Sequence, residues 1–222
     1  MTTNVPSAHP WRRLPFTIVM SAAMFATAVW SSTTHRPLGI PASDMLGLAG
    51  THLADGQWHR LVTSVFVTKG AAVFWRSWAA LTVFTALAER RWGSWPTAGL
   101  FWGGHLWAVL VVTLGVAMPL YRWGSEAGLL LFTSSDVGPS AGYWSCIGAV
   151  VAGLPPRRRW PIGLVMGAAL VVALSASSNA IASAPDRVLA DAAHLVAFAS
   201  GFGLTFAVGI RAGRKPSRAS IQ

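Results

Sequence analysis

The sequence predicts an all-α integral membrane protein whose chain crosses the bilayer six times. Three observations carry this. Of 222 residues, 53% are apolar and 11% charged, with mean hydropathy +0.50, whereas an ordinary soluble domain carries about 25% charged residues. The apolar residues gather into six runs, and a bilayer core of ~30 Å needs about 20 residues of helix, with ~17 tolerated. The basic residues stand in short clusters between those runs, a pattern that sets membrane topology and does not point to nucleic acid.

The first run, 16–32, follows Arg12 and Arg13 as a signal peptide would, but its length and the five runs behind it favour a retained span. The segment 31–70 is only moderately apolar and carries His35, Asp44, His52, Asp55, His59 and Arg60. It is too broken to span, so short amphipathic helices lying at the interface are expected. His52, Asp55 and His59 share a helical face, yet no further ligand is evident and the set reads as a solvated polar face; no metal is implied. The remaining runs are 71–88, 95–120, 140–154, 160–177 and 188–210. Five of the 12 tryptophans, Trp11, Trp58, Trp92, Trp123 and Trp160, stand beside or near charged residues, as an aromatic belt at the headgroups requires. The single cysteine, Cys146, excludes an intrachain disulfide and a zinc cysteine cluster.

With six spans, alternate loops share a side. The clusters at Arg12, Arg90, Arg157 and Arg211 fall together, eleven basic residues against Glu89 alone, while the other side holds six basic and six acidic residues. The positive-inside rule then makes both ends cytoplasmic. The expected organisation is a cytoplasmic segment 1–13, a membrane domain 14–210 and a basic cytoplasmic tail 211–222, in a multi-pass protein of the plasma membrane. No internal repeat is visible, which disfavours a transporter built of two related halves.

Two positions suggest chemistry. Ser140 follows Gly138-Pro139 at the start of the fourth run, where unpaired backbone N–H groups and the positive end of a helix dipole point outward. That placement suits a nucleophile whose attack creates an oxyanion, and equally suits a helix N-cap. His194 lies within the sixth run, and an ionisable side chain in a span is a functional hypothesis by default. At ~1.5 Å per helical residue both stand roughly 22 to 26 Å above the cytoplasmic ends of their helices, so they share a level. Asp191, three residues before His194, either orients its ring or serves as a helix N-terminal charge. His105 reads as a polar contact between helices, and Arg76 as a side chain snorkelling outward. Small residues on the fourth run (Ser145, Gly148, Ala149, Ala152) and on the sixth (Ala193, Ala197, Gly201) allow those two helices a close approach.

These residues resemble the rhomboid family of intramembrane serine proteases. That resemblance covers about Trp58 to Gly209 and implies a six-helix rhomboid-like bundle with an interfacial first loop. It matches Gly138-Pro139-Ser140-Ala141 to the catalytic Gly-x-Ser-Gly motif and His194, followed by Gly201, to the sixth-helix histidine. Trp58 with Arg60 is similar to the Trp-Arg signature of the first loop, and Glu89-Arg90-Arg91-Trp92-Gly93 to the Glu-Arg-x-x-Gly after the second helix. Ala141 replaces a glycine, and the places of the family's His and Asn oxyanion donors hold Val73 and Ser77. The set most resembles a divergent rhomboid-like branch of high-GC bacteria. What the resemblance implies is a Ser140–His194 dyad supported by Gly138, Ser77 and Asp191, cleaving transmembrane substrates near the outer membrane face without a cofactor. The alternative is a non-catalytic relative that binds client helices as a chaperone or assembly factor; in either case the partners are membrane helices and the lipid bilayer, and not nucleic acid.

Overall fold

The computed structural model describes residues 14–213, with side chains to residue 208. The segment 1–13 and the tail beyond residue 213, both expected to be cytoplasmic, lie outside the described residues. Helix α1 is Pro15–Trp30, followed in the first loop by α2 (Ile40–Leu46), α3 (Gly50–Ala54) and α4 (Arg60–Thr63). Helix α5 is Ala71–Trp92 and α6 is Ser94–Val112; a π-helical turn at Thr113–Ala117 leads into α7 (Met118–Arg122). Then come α8 (Glu126–Thr133), α9 (Ser140–Ala152), α10 (Pro156–Ser178) and α11 (Pro185–Gly213). All the regular structure among the described residues is helical. One isolated antiparallel bridge, Leu48 with Asp136, ties the first loop to the segment before α9.

Four stretches are long and apolar enough to cross a membrane: α5, the continuous run Ser94–Arg122, α10, and Pro185–Val208 of α11. Helices α1, of 16 residues, and α9, of 13, are apolar but shorter. The chain is therefore a multi-pass membrane protein. The first loop holds short helices, and Trp58 on it is exposed while Arg60 is buried.

Helix α9 is the centre of the bundle. Ten of its 13 residues are buried, because α5, α6, α10 and α11 all pack against it. The contact with α11 is the most extensive, and glycine makes it so: a Cβ on Gly201 would land on the Ser145 carbonyl, and one on Gly148 would land on the Phe198 carbonyl. Backbones meet there with no side chain between them. Alanine at Gly201 should accordingly lower stability by about 1–3 kcal/mol, although it is the better helix former. Alanine at Gly203, which faces open space, should be neutral or raise stability by up to ~1 kcal/mol. Thermal unfolding in detergent checks both, and equal midpoints would discount the close approach.

A buried cap and a glycine turn set the ends of the other helices. The N-terminus of α1 has no cap from its own chain neighbours. Glu89, in the last turn of α5, fills that position: its two oxygens accept from the Phe16 N–H at 2.9 Å, the Thr17 N–H at 2.8 Å and the Thr17 hydroxyl at 2.7 Å. A carboxylate there meets unpaired donors and the positive end of the helix dipole together. Gly93 joins α5 directly to α6 with φ of +84°, a left-handed conformation that glycine adopts without strain. It caps in both directions, its N–H donating to the Glu89 carbonyl at 2.8 Å and its own carbonyl accepting from the Thr97 N–H at 3.2 Å.

Candidate active site

The segment Asp136–Pro139 delivers Ser140 into the bundle. Asp136 exchanges two backbone hydrogen bonds with Leu48, at 2.7 and 3.0 Å, and the Gly138 N–H donates to the Ser64 carbonyl at 2.8 Å. Gly138 has φ of +128°, so a side chain there would be strained. With its N–H occupied, Gly138 shapes the segment and has no hydrogen left to offer an oxyanion. The N-cap of α9 is Pro139, with no side-chain cap. Ser140 is thus the first helical residue, and the capping role that its sequence position allowed is not the one it plays. The first helical hydrogen bond is Tyr143 N–H to the Pro139 carbonyl, which leaves the amides of the first turn, from Ser140 onward, without intrahelical acceptors.

A cavity of about 840 Å³ opens beside this turn. Ser140, Gly138, Ser77, Asp191 and His194 all line it, and so do Val73 and Arg76. Arg76 is therefore directed to the cavity and does not simply snorkel away from it. The Nδ1 of His194 lies 3.8 Å from Asp191 Oδ1, beyond hydrogen-bond distance but within range of an ion pair. Its Nε2 is buried without a partner, and the indole of Trp144 lies 5.7 Å away, ring centre to ring centre. Among the described residues no hydrogen bond joins Ser140 to His194. At the cavity wall Lys69, from the end of the first loop, pairs with Asp186 at the start of α11.

Asp136 also lines the cavity. Desolvation raises its carboxyl to about 6, opposed by the nearby Lys69 charge and by the Val137 N–H it accepts at 2.9 Å. The folded state therefore holds the proton more tightly than the unfolded chain. Its contribution to stability is present in full below the ordinary value of 3.8 and is lost as pH rises through about 6. Asp136→Asn should remove that slope, raising stability at pH 7 by about 3 kcal/mol relative to wild type while leaving it nearly unchanged at pH 4. Unfolding midpoints across pH 4–8 decide this; parallel curves for the two proteins would exclude it.

The motif residues away from the cavity are structural. Arg60 donates from Nη1 to the Gly47 carbonyl at 2.7 Å and from Nε to Gln57 at 2.5 Å, folding the first loop onto itself. Arg91, next to Arg90, donates to the Gly153 carbonyl at 2.5 Å and fixes the end of α5 against the end of α9. His105 contacts the Leu61 carbonyl at 3.0 Å through Nε2. It anchors the first loop to α6 and does not join two spans. Its partner is a backbone atom, so no sequence spacing signals it.

A family model described as the Rhomboid domain matches residues 55–211. The chain belongs to the rhomboid family. The match begins just after α3 and takes in α4 through α10 and α11 to residue 211, so the rhomboid domain includes every residue of the cavity wall named above. No curated protein and no solved structure matches the chain.

Proposed function

We propose that this rhomboid-family protein is an intramembrane serine protease in which Ser140 and His194 form the catalytic dyad. The observation that carries the reading is the shared cavity: Ser140, on a helical turn with free amides, and His194, with an unpartnered Nε2, border the same space. Ser140 Oγ attacks the peptide carbonyl while His194 Nε2 takes its proton. The tetrahedral oxyanion accepts from the Ser140 N–H and from the Ser77 hydroxyl. As the C–N bond breaks, His194 returns the proton to the departing amine, and water then releases the acyl group from Ser140 by the same exchange. Asp191, near Nδ1, favours the tautomer that leaves Nε2 free.

In this reading α1 and α9 cross with the four longer stretches, making six spans over 14–210. Ser140 faces the outside, both ends are cytoplasmic, and the membrane is the plasma membrane. The arginine clusters support that orientation. Substrates are transmembrane helices cut near the outer membrane face.

A second reading is favoured by Val73, which offers no hydrogen bond to an oxyanion: a non-catalytic rhomboid protein that holds client helices in the same cavity. A membrane-impermeant serine-directed phosphonate separates the two. Intact cells should label the wild type and not Ser140→Ala, and sealed inverted vesicles should label neither. An unlabelled wild type in detergent would replace the first reading with the second, whereas labelling only in inverted vesicles would reverse the orientation.

A further inference from the structure

At the end of the bundle opposite Ser140, positive charge collects without compensation. Arg90 and Arg91 close α5, and Arg157, Arg158 and Arg159 lie in the first turn of α10. The acid nearest in sequence, Glu89, is buried with both oxygens engaged by α1. Among the described residues none of the five arginines makes an ion pair. The first turn of a helix already carries partial positive charge from its dipole, so three arginines there add to a positive potential that favours an external anion. Arg159 has its Nε buried without a partner and its guanidinium 5.5 Å from the Phe206 ring.

A cavity of about 930 Å³ lies between Arg91 and Arg159. It shares Gly99, Leu100 and Leu204 with a second, of about 350 Å³, that extends along α6 and α11 to Trp107. The two make one groove, charged at its mouth and apolar along its length. From Pro96 to Trp107 it runs ~16 Å at the helical rise, close to half of a ~30 Å hydrocarbon core and so to one acyl chain within its leaflet. Gly99 and Gly103 of α6 face open space. Side chains at those positions would fit the protein but would fill the groove.

We propose that this groove binds one anionic phospholipid, with its phosphate between Arg91 and Arg159 and one acyl chain along α6 and α11. Charge complementarity selects the anionic headgroup, and the apolar extension of the groove selects a lipid over a free phosphate. The site lies outside the Ser140 cavity and does not depend on whether Ser140 is a nucleophile.

The test uses the purified full-length protein in detergent, with bound lipid counted by native mass spectrometry. Phosphatidylglycerol and phosphatidylcholine of identical chains are compared. The wild type should prefer phosphatidylglycerol, by about fivefold for each arginine that reaches the phosphate. Arg159→Gln should reduce that preference about fivefold. Gly103→Leu should weaken both lipids, and Gly99→Leu should do the same, which guards against a misfolded single variant. Glycerol phosphate, which has the headgroup but no chains, should not bind. Equal retention of the two lipids, an unchanged preference in Arg159→Gln, full binding by both leucine variants, or binding of glycerol phosphate as strong as that of the lipid would each overturn the proposal.

Discussion

Alanine at Ser140, at His194 or at both is expected to slow cleavage of a transmembrane substrate by the same factor, on the order of 10⁶. A nucleophile and the base that activates it act as one unit, so the second removal takes nothing further. Ser77→Ala should cost less, roughly 10² to 10³, because backbone donors of the α9 first turn would remain. Asp191→Asn should be milder still than in a tightly bonded triad, since its carboxylate stands 3.8 Å from Nδ1. The assay is cleavage of a reporter helix in proteoliposomes with variants at equal abundance. Cleavage by Ser140→Ala at the wild-type rate would remove the dyad, and unimpaired cellular function of that variant would establish the helix-binding reading.

Glu89→Ala should produce the largest loss of stability of any single change away from the cavity, about 3–5 kcal/mol. Its carboxylate receives three donors from α1; a hydrogen bond to a charged group contributes about 1.5–3 kcal/mol, and three that share one carboxylate do not add in full. Glu89→Gln keeps one acceptor oxygen but turns an NH₂ toward the other donors, so about half the loss should return. Denaturant titration in micelles measures both. A Glu89→Ala protein within ~1 kcal/mol of wild type would show that α1 is held by its apolar face and by the Ser21 contacts with α5, not by the cap.

The helices were legible because lipid imposes a simple demand. A stretch such as 71–88 has to satisfy its backbone internally and present apolar side chains outward, and hydropathy reads that directly. Their ends were less legible. Helix α5 continues to Trp92 and α10 begins at Pro156, so Arg91 and Arg159 belong to helical turns and not to loops; a long basic side chain is tolerated at a helix end because it reaches past the membrane boundary. Helix α8 and the π-turn at Thr113–Ala117 went unforeseen, since neither changes the apolar composition that marks a span. The wall of the candidate site was legible in part: Ser140 and His194 followed from position and chemistry. The engaged N–H of Gly138 did not, because its acceptor is a backbone carbonyl of Ser64, distant in sequence. The same is true of Glu89, whose cap on α1 joins residues far apart in sequence.

Helix α9 also makes assembly of the bundle depend on a helix made after it. Its 13 residues make about 20 Å of helix, too little to be retained by lipid on length alone, and neighbours cover nearly all of its surface. Its most extensive neighbour, α11, leaves the ribosome after it. Until that helix arrives, Gly148 has no backbone to pack against, whereas Ser145 already meets Gly104 of α6. A nascent chain halted before residue 185 therefore holds α9 against α5, α6 and α10 with its α11 face uncovered. His194 lies on α11, so the cavity that it borders with Ser140 is complete only once that helix is in place.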